Sequence, residues 1–156
     1  MKVLALVLLL LFSGSSHAAD FKPFVRGSWK QLLEENAGKP IIVHFWGVTC
    51  APCLAELPNW TRMVKQYPDL RVILIAADPF PQEAARVSEI IDSAGLGSAE
   101  YWTFADRFVE RLRFEIDPRW VGELPRTLLI DKSGAVKSYS GLFDLALVPL
   151  WVKGQK

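Results

Sequence analysis

The sequence predicts one α/β domain, a mixed sheet held between helical layers, and three observations carry that prediction. Ile41-Ile42-Val43-His44-Phe45-Trp46 and the run from Arg71 to Ala77 are nearly all apolar and rich in β-branched residues, as strands covered on both faces are. Between such runs lie segments whose apolar residues recur near every 3.6 positions, the helical period. Near the end, Thr127-Leu128-Leu129-Ile130, the turn Asp131-Lys132-Ser133-Gly134 and a return from Ala135 to Ser140 read as an antiparallel hairpin. Strands alternating with helices, closed by a hairpin, define a mixed sheet flanked by helices.

Each element follows in chain order. Lys2 precedes an unbroken apolar run, Val3 to Phe12, and then Ser13-Gly14-Ser15-Ser16-His17-Ala18-Ala19. A basic start, a short apolar stretch and a small-residue exit predict a cleaved secretory signal peptide over 1–18, with cleavage after Ala18 and the alternative site after Ala19. As a helix that run covers about 15 Å, half a bilayer core. The domain is then 19–156. Ser28 is expected to cap a helix from Trp29 to Asn36 that places Trp29, Leu32 and Leu33 on one face, with Gly38 as the stop. After the first strand, Leu54, Leu57, Met63 and Val64 predict a helix over 51–66, kinked near Pro58. Asp78-Pro79-Phe80-Pro81 closes the second strand. Gln82 to Ala94 reads as a helix on Ala84, Val87, Ile90 and Ile91, ended by Gly95. Tyr101 to Phe104 is expected as a short strand, Ala105 to Phe114 as a helix turning Phe108 and Leu112 inward, and Leu142 to Trp151 as a closing helix disturbed by Pro149.

Composition narrows the function classes. With 156 residues, 51% hydrophobic and 22% charged, the chain is neither disordered nor a bare basic tail. The 18 Lys and Arg nearly balance 17 Asp and Glu, which gives no basis for a nucleic-acid partner. A domain of this size buries a core without a disulfide staple. Cys50 and Cys53 therefore call for a chemical explanation, and an exported chain meets an oxidising compartment.

Cys50-Ala51-Pro52-Cys53 directly follows a buried strand and opens a helix. A helix N-terminus leaves backbone N–H groups unpaired and its potential positive, which favours a thiolate at Cys50, the form that attacks disulfides. Cys53 returns to the same first turn, within reach of a mixed disulfide on Cys50. Pro52 lies where a missing N–H costs nothing. Two plainer readings compete. A structural disulfide closing so short a loop constrains the unfolded chain very little. Zinc requires about four ligands, and beyond the two cysteines the domain offers only His44.

Val43 to Cys53, VHFWGVTCAPC, followed by Leu54-Ala55-Glu56-Leu57-Pro58, resembles the exported thioredoxin-like thiol–disulfide oxidoreductases of the TlpA and ResA group. Gly122-Glu123-Leu124-Pro125-Arg126-Thr127-Leu128-Leu129-Ile130-Asp131, and then Gly134, resembles a second segment of the same group. The likeness spans about residues 28 to 145 and implies a thioredoxin-like fold. It implies Cys50 as the attacking and Cys53 as the resolving cysteine, Pro125 as a cis-proline, and Leu124 as the residue that offers its backbone to an extended substrate. Glu56 matches a glutamate of the group, one helical turn beyond Cys53, where a carboxylate can exchange a proton with that thiol; a plain surface residue is the alternative. Trp46 and Thr49 complete the implied substrate-side set, Trp46 as the tryptophan packed behind the cysteines and Thr49 where most relatives carry a tryptophan.

Two further positions depart from the group. His44 stands where thioredoxins carry a buried Asp and many TlpA-like proteins an Asn, so it is a candidate proton shuttle, or else a strand histidine bonded to its neighbours. Arg126 is expected to place a charge on the groove rim or to solvate the strand edge. No cofactor and no metal are implied. The implied activity is thiol–disulfide exchange in the periplasm or bacterial cell envelope on disulfide-bearing proteins, with a membrane thiol–disulfide reductase as electron donor, in cytochrome c or copper-site maturation. A Cu(I)-carrying chaperone and an oxidant or isomerase of secreted proteins are the alternatives; Met63 is the one methionine of the domain, which leaves little of a copper display.

Overall fold

The computed structural model describes residues 21–78, 84–96 and 99–155. The expected signal peptide, the Pro79-Phe80-Pro81 turn and the first residues of the expected 82–94 helix lie outside them. The elements are β1 (Phe21–Phe24), α1 (Ser28–Glu35), β2 (Ile41–Trp46), α2 (Ala51–Gln66), β3 (Arg71–Ala76), α3 (Ala84–Ala94), β4 (Glu100–Phe104), α4 (Val109–Ile116), β5 (Arg126–Ile130), β6 (Val136–Ser140) and α5 (Leu147–Lys153).

The strands form a mixed sheet in the order β1-β4-β3-β2-β5-β6. β2 runs parallel to β3 and antiparallel to β5, which places His44 opposite Thr127. Every residue of β2 is buried, as its unbroken apolar pattern requires. Ile42 and Trp46 face a core built with Leu57, Trp60, Met63 and Val64 of α2 and Val87 and Ile91 of α3. Ile41, Val43 and Phe45, alternating with them, face a second core with Trp29 and Leu32 of α1, Leu112 of α4, and Trp120. Helices thus cover both faces, and the end of the central strand is where the chain passes into α2.

Four local expectations are corrected. β1 was not expected: it is a four-residue edge strand, parallel to β4, and its Pro23 is of the kind tolerated at a sheet edge. Ser28 is not the α1 cap but its first residue; Gly27, at φ 86°, holds the cap position, and the Ser28 hydroxyl accepts the Val25 N–H at 3.0 Å. Residues 105–108 are not helical, because the Asp106 carboxylate takes the Phe108 N–H at 2.8 Å; Phe108 is left exposed, with the Arg107 and Arg111 guanidinium groups over its ring. The last helix starts at Leu147, where Asp144 accepts the Ala146 N–H, so Pro149 falls in the first turn and does no harm. α2, in contrast, runs through Pro58 over the expected 51–66.

Candidate active site

The site is built where β2 gives way to α2. Gly47 ends the strand, the Cys50 N–H bonds back to the Gly47 carbonyl at 3.1 Å, and Cys50 is the N-cap of α2. The Cys50 sulfur accepts the Cys53 N–H at 3.3 Å, so that sulfur sits against the N–H donors of the first helical turn. The two cysteines are joined, with an S–S distance of 2.06 Å and Cα atoms 5.2 Å apart. Their surroundings differ. Cys50 is partly exposed, whereas Cys53 is 0% exposed and belongs to the core against α2.

Behind Cys53 lies a buried polar group inside the apolar core. Glu56, one turn along α2, is 5% exposed, and its Oε1 lies 3.1 Å from His44 Nε2. The approach is too bent for a well-formed hydrogen bond. The other oxygen, Oε2, accepts the Phe143 N–H at 3.4 Å. The other nitrogen of His44, Nδ1, is 3.0 Å from Thr127 Oγ1. The imidazole ring lies 4.4 Å from the Trp60 ring, which stacks in turn on Phe143. Burial holds the His44 pKa below its ordinary value, against the opposing pull of Glu56. His44 and Glu56 are each expected near Cys53 separately; the fold brings them within 3.1 Å of each other and adds Thr127, which no motif singles out.

The mouth of the site is shaped by Asp78 and by the chain before β5. Asp78, just beyond β3, takes the Val48 N–H on both carboxylate oxygens, at 2.9 and 3.1 Å, and so fixes the turn that carries Thr49 and Cys50. Leu124-Pro125 is a cis peptide, and Leu124 packs beside Gly47. Thr49 is exposed, Leu124 partly exposed and Pro125 buried. Trp46 is only 1% exposed and sits in the core, behind the turn that carries the cysteines.

Arg126 neither lines the rim nor solvates an edge. It is 5% exposed, and its guanidinium donates to Asp117 Oδ2 at 2.7 Å, Glu123 Oε1 at 2.8 Å and Ser140 Oγ at 3.2 Å, 5.5 Å from the Trp120 ring. The Trp120 indole donates to the Glu123 carbonyl at 3.0 Å. The residue before Leu124 is thereby anchored through both side chain and backbone. Among the described residues, no cluster of three or more His, Cys, Asp or Glu is arranged to hold a metal ion, and no helix is long and apolar enough to cross a membrane.

A sheet of this order, with a Cys-x-x-Cys pair at the N-terminus of the helix after its central strand and a cis-proline leading into the neighbouring strand, defines a thioredoxin-like protein. No family model matches the chain. In sequence it is similar to the thiol–disulfide oxidoreductase ResA of Bacillus thuringiensis strain Al Hakam, 30% identical over 104 residues, 67% of this chain and 56% of that protein. ResA of Geobacillus kaustophilus is 29% identical over 129 residues, covering 78% of this chain and 66% of the relative. The chain spans little more than half the length of the first of these relatives. In structure it is similar to the exposed lipoprotein thioredoxin Etrx1 of Streptococcus pneumoniae, with a TM-score of 0.61 at 21% identity over 78% of this chain and 89% of that one. StoA of Bacillus subtilis gives 0.58 at 21% identity, over 75% and 84%. The chain has the thioredoxin-like fold, and its sequence relatives include thiol–disulfide oxidoreductases named ResA.

Proposed function

We propose that the protein is a thiol–disulfide oxidoreductase working through Cys50 and Cys53. The observation that carries the reading is the unequal placement of the two sulfurs: one half open at a helix N-terminus, the other sealed in the core next to a buried carboxylate. In the reduced protein the Cys50 thiolate attacks a substrate disulfide, forming a mixed disulfide and releasing one substrate thiolate. Cys53 passes its proton to Glu56 and attacks the Cys50 sulfur. The second substrate thiolate leaves, the substrate has gained two electrons, and the protein disulfide is formed. Leu124, ahead of cis-Pro125, offers backbone to an extended substrate beside the sulfur, and Thr49 leaves that rim open.

The direction of exchange is reductive and the place is the cell envelope, reached by cleavage of the 1–18 segment, with electrons supplied by a membrane thiol–disulfide reductase. Ala51-Pro52, which brings no histidine beside Cys50 to strengthen an oxidant, supports the direction; the sequence of the leader supports the place. The substrates on this reading are envelope proteins with oxidised cysteines, including apocytochromes c and copper-site proteins. A Cys53→Ala protein expressed in the envelope tests it. It should stall as a covalent mixed disulfide through Cys50, and the partners released by reductant should be a narrow set rich in such proteins. Capture of a broad sample of secreted proteins would favour an oxidant or isomerase, and failure to form any mixed disulfide would remove the reading.

A further inference from the structure

We propose that the Thr127 hydroxyl locks His44 in the tautomer that carries its proton on Nε2, the nitrogen beside Glu56, making Thr127 and His44 positioning residues for the carboxylate that serves Cys53; this rests on the thiol–disulfide reading above. The geometry leaves the imidazole two polar neighbours, one at each nitrogen. Thr127 Oγ1 lies 3.0 Å from Nδ1 and Glu56 Oε1 lies 3.1 Å from Nε2. His44 is 0% exposed, so bulk solvent does not reach either nitrogen.

A neutral imidazole has a single N–H, and burial favours that neutral form here. An ionised carboxylate accepts only, whereas a hydroxyl donates or accepts. With Glu56 as a carboxylate, one arrangement gives Nδ1 a donor and keeps two lone pairs from facing each other: Thr127 O–H donates to Nδ1, and the imidazole proton sits on Nε2, beside Glu56 but bent away from it. In the opposite tautomer the Nε2 lone pair would face the carboxylate across 3.1 Å in the core, with no donor between them. A donor aimed at a carboxylate favours its ionised form, the form that accepts a proton from Cys53. The bent approach of the two atoms in the oxidised protein fits a contact that tightens during reaction.

The surroundings add little competing charge. Glu56 is the charged group acting on His44. Around the pair stand Cys53 and Trp60 from α2, Leu74 paired beside His44 on β3, Thr127 from β5 and Phe143 before α5, with Tyr139 of β6 packed on Phe143. Of the carboxylates at this end of the sheet, Asp78 is bonded to the Val48 N–H and Glu123 and Asp117 to the Arg126 guanidinium.

The tautomer is read directly from imidazole ¹⁵N shifts of the labelled wild-type protein. Protonation at Nε2 at neutral pH is expected, and protonation at Nδ1 overturns the lock whether or not any exchange activity is found. The functional arm measures the rate at which a preformed mixed disulfide on Cys50 resolves, as a function of pH. Thr127→Val, nearly isosteric, and His44→Leu should move the rising limb upward by about one pH unit and slow resolution about tenfold at neutral pH, with recovery at high pH. Thr127→Ser and His44→Gln, which keep the hydroxyl and a side-chain N–H donor, should restore the wild-type profile. Attack of Cys50 on a small disulfide should be the same in all of them. A Thr127→Val profile that overlays wild type, or one lowered equally at every pH, overturns the proposal. A Glu56→Gln protein with a wild-type profile would instead remove the reading of Glu56 beneath it.

Discussion

Gly47 and Asp78 approach so closely that a Cβ on Gly47 would stand 2.8 Å from Asp78 Oδ1, the same oxygen that takes the Val48 N–H at 2.9 Å. The absence of a side chain at Gly47 is thus a matter of space, since its backbone is not among the positive-φ glycines. On its other side the same Cβ would meet Leu124 at 3.3 Å.

Gly47→Ala should therefore act on both walls of the site. The methyl displaces the Asp78 carboxylate or Leu124, and overpacking of this kind costs about 1–3 kcal/mol. Urea denaturation should show that loss, and exchange with a protein disulfide should slow beyond what the unfolded fraction explains. Wild-type stability together with wild-type exchange would mean that the turn relaxes freely and that Asp78 does not hold it.

Arg126 binds three acceptors with one guanidinium, which no other side chain can reproduce. Arg126→Met leaves Asp117 and Glu123 without their shared donor and should cost about 2–3 kcal/mol, the scale of hydrogen bonds to charged groups. Arg126→Lys keeps the charge but not the fork, and should recover only part of the loss. Equal urea midpoints for the Lys variant and wild type would show that charge alone suffices there.

Acid should weaken the fold in two stages. Neutral, buried His44 contributes stability that is complete above its unfolded value of 6.5 and is lost as the pH falls from there through its lower folded value. The second stage belongs to carboxylates whose folded pKa lies below the unfolded one. Asp117 is held low first by the Arg119 N–H, against burial, and further by the Arg119 and Arg126 side chains. For Glu123, burial pushes upward and is outweighed by its own backbone N–H, Ser140 and Arg126. Their contribution is present above about pH 4 and disappears as the pH falls below it. His44→Gln should flatten the change in urea midpoint between pH 7 and pH 5 and leave the lower stage intact. An equal loss in both proteins between those values would mean that His44 is not the group titrating.

The contrast between strands shows what kind of information a sequence exposes. β2 and β3 were legible because burial on both faces writes an apolar run, whereas β1 is a four-residue edge element held by pairing with β4, and nothing inside FKPF announces that partner. Periodicity starts α4 and α5 too early because Asp106 and Asp144 take N–H groups that it assigns to helix. In the site, Cys50 and Cys53 announce themselves by spacing, and His44 and Glu56 through a resemblance. Thr127 and Asp78 do not, since each acts on a residue 83 or 30 positions away, a relation created by strand pairing and by the loop at the sheet end. Arg126 looks like a surface charge in the sequence because its partners Asp117, Glu123 and Ser140 converge only in the folded chain.

The two cysteines should behave as chemically different groups once reduced. Cys50 caps α2, where the first-turn N–H groups favour its thiolate, and it is partly open to solvent. Cys53 is 0% exposed and packed among apolar side chains, so a reagent reaches it only if the helix start opens. Limited iodoacetamide on the reduced protein, followed by peptide mass spectrometry, should label Cys50 at least tenfold faster than Cys53, the minimum expected where one thiolate is favoured and the other thiol is buried. Mild urea below the unfolding transition should raise the Cys53 rate while leaving the Cys50 rate nearly unchanged, because only the first requires local opening. Comparable labelling of both, or faster labelling of Cys53, would reverse the assignment of attacking and resolving sulfur, and Cys50→Ala rather than Cys53→Ala would then be the variant that accumulates mixed disulfides.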